Sequence, residues 1–115
     1  MAAENRDMVQ GTLEMLVLKT LALEPMHGWA IAQRIRQVSK DVLLVNQGAL
    51  YPALHRLEYK GWIRAEWGES DNNRKAKYYS ITKDGRGQLA KDAAYWHRLA
   101  SVMGRVLAPP AGEEM

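Results

Sequence analysis

Apolar positions in this chain follow a helical period, switch to a period of two, then return to a helical one. Leu13, Leu16, Val17, Thr20 and Leu21 share one helix face, while Met15, Leu18 and Ala22 take another. A helix apolar on two sides needs cover on two sides. Thr12 stands where an N-cap is expected, and Pro25 bars further extension. A second helix, from about His27 to Ser39, sets Ile31, Ile35 and Val38 inward against Gln33, Arg34, Arg36 and Gln37. The run VLLV at 42–45 reads as a small strand. Asn46 then caps a third helix to about Lys60, stopped by Gly61. Leu50, Leu54 and Leu57 face the core; Gly48, Pro52, His55, Arg56 and Tyr59 point away, with Gln47 and Tyr51 at the edges. Pro52 removes one helix hydrogen bond, so an irregular first turn is expected.

After Gly61 the period changes. Ile63, Ala65 and Trp67 alternate with Trp62, Arg64 and Glu66, a strand pattern. Gly68, Ser70, Asp71, Asn72 and Asn73 carry turn chemistry, and Tyr79 with Ile81 marks the buried face of a return strand. Thr82 caps a last helix to about Leu107, roughly 37 Å long at about 1.5 Å per residue. On it Leu89, Ala93, Trp96, Ala100, Met103 and Leu107 repeat as a coiled-coil seam. A second row, Tyr95, Leu99, Val102 and Val106, lies beside it. The small body before this helix cannot cover both rows. A symmetric dimer through that seam, with Leu18 of the first helix in the interface, is the economical expectation.

These elements define a mainly α fold with a small β-ribbon: a winged helix-turn-helix followed by a long C-terminal dimerisation helix. The expected division is a flexible N-terminus at 1–10, a winged body at 11–82, the dimerisation helix at 83–107 and a flexible tail at 108–115. A helix followed by a ribbon with a cationic tip suits duplex DNA. The helix can enter the major groove while the ribbon reaches the neighbouring backbone.

Charge strengthens that expectation. The net charge is only +3, but residues 27–107 hold 14 bases against seven acids, a net +7. Phosphate neutralisation supplies most non-specific affinity for DNA, so a basic body implies a polyanionic partner. Arg74, Lys75 and Lys77 cluster at the ribbon tip. There is no cysteine, hence no disulfide and no thiolate metal site. The start MAAENRDMVQ lacks a signal-peptide pattern and no apolar run reaches membrane-span length, so a cytoplasmic protein without membrane attachment is expected. His27, His55 and His97 fall on different elements at no metal-ligand spacing, and neither a phosphate loop nor a nucleophile elbow is present. No metal, cofactor or enzymatic chemistry is therefore expected.

The runs GTLEMLVLKTLALEPMHGWAIAQRI, GALYPALHRLEYKGWIRAEW and NNRKAKYYSITKDGRGQL resemble the PadR (phenolic acid decarboxylase regulator-like) family of bacterial transcription regulators. The resemblance runs from about Gly11 into the last helix, and the single C-terminal helix is similar to the short subtype. It implies a homodimeric repressor of operator DNA, released by a signal. The implied DNA-binding residues are Gln47, Tyr51, Pro52, His55 and Arg56 on the helix, and Asn73, Arg74, Lys75 and Lys77 on the wing. Some family members bind aromatic molecules between subunits, which would place a small aromatic effector beside Trp96. Two positions depart from the family's habit: Ala49 replaces a Ser or Thr before Leu-Tyr-Pro, and Trp29 replaces the Tyr after His-Gly. The rival reading is a winged-helix adaptor that docks proteins through its long helix and has lost DNA.

Overall fold

The computed structural model describes residues 11–69 and 73–110. The chain runs α1 (Thr12–Leu21), β1 (Met26–His27), α2 (Gly28–Val38), α3 (Gln47–Tyr59), β2 (Ile63–Glu69), β3 (Lys75–Ile81) and α4 (Lys83–Leu107). The three strands form one antiparallel sheet in the order β1-β3-β2. This is a mainly helical winged helix-turn-helix with a long C-terminal helix, as the periodicities require. The expected flexible N-terminus, the tail from residue 111 and the tip residues Ser70, Asp71 and Asn72 lie outside the described residues.

The core collects the inward faces that the patterns mark. Val17, Leu18, Ile31, Leu50, Leu54 and Leu57 are fully enclosed, joined by Ile63 and Tyr79 from the sheet. Burying each large aliphatic side chain contributes about 1.5–3 kcal/mol, so this cluster holds α1, α2 and α3 on the sheet. Local chemistry sets the ends. The Asn46 side chain accepts from Ala49 N–H at 2.8 Å and starts α3. Thr82 Oγ1 accepts from Gly85 N–H at 3.0 Å to start α4, and donates to the Gly61 carbonyl at 2.7 Å. Thr82 thereby fastens the long helix to the turn that ends α3. The helix α3 runs on through Pro52, with its first turn tightened by Ala49 N–H donating to the Asn46 carbonyl at 3.2 Å.

Four expectations need correction. Gly11, in the left-handed region at φ 91°, is the N-cap of α1, and Thr12 is its first helical residue. The short strand is Met26–His27 rather than VLLV. Residues 42–45 join no strand; the sheet consists of β1, β3 and β2 alone, with β3 partnered on both edges. Leu43 and Val45 pack against the core, while Val42 and Leu44 stay exposed. Val38 ends its helix beyond the edge of the core and is exposed, unlike Ile31 and Ile35. Leu18 is 0 % exposed in the single chain, so it cannot belong to a subunit interface. α2, α3, α4 and β3 all pack on α1, while Met15 and Ala22 of its second face stay half-buried.

Candidate nucleic-acid interface

Three elements converge on one cleft. The start of α2 supplies His27, Gly28 and Trp29, α3 supplies Tyr51 and His55, and the ribbon supplies Trp67, Arg74, Lys75, Lys77 and Tyr79. The cleft measures about 1110 Å³. His27 is placed twice over. Its main chain pairs with Tyr78 across the sheet, and its Nδ1 accepts from Ala30 N–H at 3.2 Å, capping α2. Its ring lies edge-on to Tyr78 with centroids 5.4 Å apart. Tyr51 lies on Gly28, where an added Cβ would come within 2.7 Å of the tyrosine hydroxyl. Only a residue without Cβ lets α2 approach the tyrosine of α3 so closely. Burial raises the Tyr79 hydroxyl above its ordinary pKa of 10, with Glu58 and Tyr51 adding to the shift, so that phenol stays neutral at the cleft floor.

The ribbon is built to project. Its register pairs Ile63 with Ile81, Ala65 with Tyr79, Trp67 with Lys77 and Glu69 with Lys75. Directly paired residues share a face, so this face starts in the core and ends among cations. Tyr78 Oη donates to the Glu69 carbonyl at 3.0 Å, bracing the outer part of the wing. Asn73 turns the tip at φ 60°, a left-handed conformation that asparagine tolerates better than most residues.

Of the sequence-derived contacts, Tyr51, His55, Arg74, Lys75 and Lys77 come together in the cleft. Gln47 and Pro52 are exposed on α3 outside its lining, and Asn73 is exposed at the tip. Arg56 is different. Its Nε donates to Glu14 Oε2 of α1, and Lys60 Nζ lies 3.8 Å from Glu14 Oε1. The glutamate is largely buried, so Arg56 helps hold α3 on α1. Sequence reasoning missed Trp67 and His27 as members of this cleft and named Trp29 only as a departure. The signal for Trp67 was its place in the Ile63-Ala65-Trp67 alternation. Among the described residues no group of His, Asp or Glu could hold a metal ion, and no helix is long and apolar enough to cross a membrane.

Along α4, Leu89 and Ala93 are half-buried against the body, but every residue from Ala94 to Leu107 is exposed. The seam residues Trp96, Ala100, Met103 and Leu107 therefore lie open, as does the second row. Between α1 and the first half of α4 is a groove of about 510 Å³ whose walls include Met15, Leu16, Leu89, Ala93 and Trp96.

A helix-turn-helix body with a β-ribbon wing and a cationic cleft between them defines the class of DNA-reading winged helices. Residues 17–91 match the profile of the transcriptional regulator PadR-like family, and the chain belongs to that family. A transcriptional regulator of Mycobacterium tuberculosis is 30% identical over 95 residues, covering 83% of this chain and 85% of that protein. The crystal structure of a PadR family transcriptional regulator from Eggerthella lenta is 34% identical, with a TM-score of 0.73 over 85% of this chain and 83% of that one. A regulator from Clostridium thermocellum, 24% identical, shares the fold with a TM-score of 0.79 over 86% of this chain and 96% of its own. The protein is thus a transcription regulator, not an enzyme.

Proposed function

We propose that this chain is a homodimeric repressor of a pseudo-palindromic operator, with residues 11–82 reading DNA and 83–107 joining the subunits. The observation that carries the reading is the cleft in which Tyr51 and His55 of α3 face Arg74, Lys75 and Lys77 of the wing. The α3 helix enters the major groove, with Gln47, Tyr51, Pro52 and His55 toward the duplex, while Asn73 and the wing cations reach the neighbouring backbone. Arg56 serves by fixing the angle of α3 through Glu14. The uncovered Trp96, Ala100, Met103 and Leu107 of α4 support a two-fold dimer through that row, which the half-buried Leu89 and Ala93 continue. Such a dimer presents two wings to half-sites about one helical turn apart, roughly 34 Å. The dimer excludes RNA polymerase from the promoter it covers, and it acts in the cytoplasm.

An aromatic effector adds a release step. The groove beside Trp96 is apolar, and Trp96 is 44 % exposed in the single chain. A flat aromatic molecule stacking there favours a subunit spacing that misfits the operator, the differential affinity that release requires.

Capture of genomic fragments by the purified protein, followed by sequencing, tests the reading. Recovered fragments should share an inverted repeat, and affinity should fall steeply with salt. Replacing Arg74, Lys75 and Lys77 together by Ala should lower the salt slope by up to about three units. Binding that ignores salt, or an unchanged slope in the triple variant, rejects the wing as a DNA contact and favours the protein-docking adaptor.

A further inference from the structure

We propose that Trp67 and Trp29 are apolar DNA contacts, holding the deoxyribose edge of the strand that runs between α3 and the wing. The inference deepens the DNA-binding reading and rests on it. The wing's inward face runs from the core out to the cleft. Ile63 is 2 % exposed and Tyr79 4 %, but one ladder step beyond Tyr79 the same face reaches Trp67, which is 70 % exposed. The strand's apolar period thus continues past the end of the protein body. A large indole placed there gains nothing from the core.

Cations surround it. Trp67 pairs directly with Lys77, and Arg74 and Lys75 line the same cleft. Across that cleft stands Trp29 at the start of α2, 62 % exposed, its ring centroid 6.4 Å from that of His27. A protein partner would be met mainly by apolar surface, and the uncovered rows of α4 are of that kind. Here two indoles alternate with cations, a pairing suited to a nucleic-acid strand. Phosphates take the lysines and arginine, while the flat hydrocarbon faces of deoxyribose and the base edges beside them take the indoles. A helix in the major groove and a wing on the neighbouring backbone leave one strand passing between them, where these side chains stand.

Salt separates the two kinds of contact. A lysine–phosphate contact releases counterions, whereas an indole on a sugar does not. Duplex DNA of mixed sequence and heparin, a polyanion without deoxyribose, are the probes, bound by the full chain across a salt series. Trp67→Ala and Trp29→Ala should each weaken duplex binding about tenfold with the salt slope unchanged, as expected for removing most of one aromatic contact. Heparin affinity should stay at the wild-type value, and Trp67→Phe should recover most of the duplex affinity. Lys77→Ala, by contrast, should weaken both probes and lower the slope by about 0.9. Wild-type duplex affinity in Trp67→Ala would overturn the proposal. So would equal losses on duplex and heparin, or a shift to monomer in sedimentation, which would make Trp67 a subunit contact. If the unaltered chain ignores duplex DNA altogether, the DNA-binding reading fails first and this inference with it.

Discussion

Two apolar surfaces left open among the described residues differ in their surroundings. In the cleft between α3 and the wing, Trp29, Trp67 and Tyr51 are interleaved with Arg74, Lys75 and Lys77. Along the outer half of α4, Trp96, Leu99, Val102, Met103, Val106 and Leu107 form continuous rows, with the bases Arg98 and Arg105 outside both. Interleaved charge makes an apolar surface selective for a polyanion, since a hydrocarbon partner would desolvate that charge and offer no counter-charge in return. Continuous rows at coiled-coil spacing suit another helix with the same rows. Exposure alone does not distinguish them: Trp67 and Leu107 are both more than two-thirds exposed. The pattern of neighbours does.

That contrast predicts that the two surfaces fail separately. Met103→Asp, in the middle of the α4 rows, should have the largest effect, because a dimer would bury the new carboxylate unpaired at a cost of several kcal/mol. Sedimentation at micromolar concentration should show a monomer. The cleft lies on other elements, so weak monomeric binding to DNA and its salt slope per chain should survive. A variant still fully dimeric would place the subunit seam elsewhere.

The same contrast shows what could be read without coordinates. Periodicity identified the body, because the inward positions of α1, α3 and β2 repeat at the spacing of their elements. Two caps were equally plain, since Asn46 and Thr82 act through short-range hydrogen bonds to residues three positions away, whereas the cap expected of Thr12 falls on Gly11. Three things depended on neighbours distant in sequence. Leu18 looked like an interface residue, since nothing local says that α2, α3, α4 and β3 pack on α1 and enclose that side chain. VLLV has strand composition, but the strand that pairs with β3 beside β2 is Met26–His27 instead. Arg56 sits on the outward side of α3 by helical geometry, yet its side chain is claimed by a glutamate 42 positions earlier.

That glutamate carries the next test, of whether α1 sets the angle of the helix proposed to face DNA. Glu14→Gln keeps the shape but removes the charge that holds Arg56 and Lys60. A charge-assisted hydrogen bond contributes about 1.5–3 kcal/mol, and the half-exposed arginine places the expected loss near 1.5. Urea unfolding should show the midpoint falling with an unchanged slope. Operator affinity should fall more than non-specific affinity, because base contacts depend on helix angle more sharply than phosphate contacts do. Equal losses on both would mean that the ion pair contributes stability alone.

The smallest expected effect lies where the cleft meets its scaffold. His27 ties β1 to β3, caps α2 through Nδ1 and brings Trp29 to the cleft wall. Truncation by His27→Ala removes the cap and should cost about 0.5–2 kcal/mol of stability. It also removes the ring that stands beside Trp29 and Tyr78. His27→Asn separates these roles, since asparagine caps helices well but offers no ring. If the cap alone matters, the asparagine variant should match the parent in both melting temperature and duplex affinity. If the imidazole also positions Trp29, the asparagine variant should melt like the parent yet bind duplex more weakly, with the salt slope unchanged. The second outcome is expected, because the histidine ring, not its hydrogen bond, faces the indole. Full recovery of DNA binding by asparagine would reduce His27 to a helix cap and leave Trp29 positioned by α2 alone.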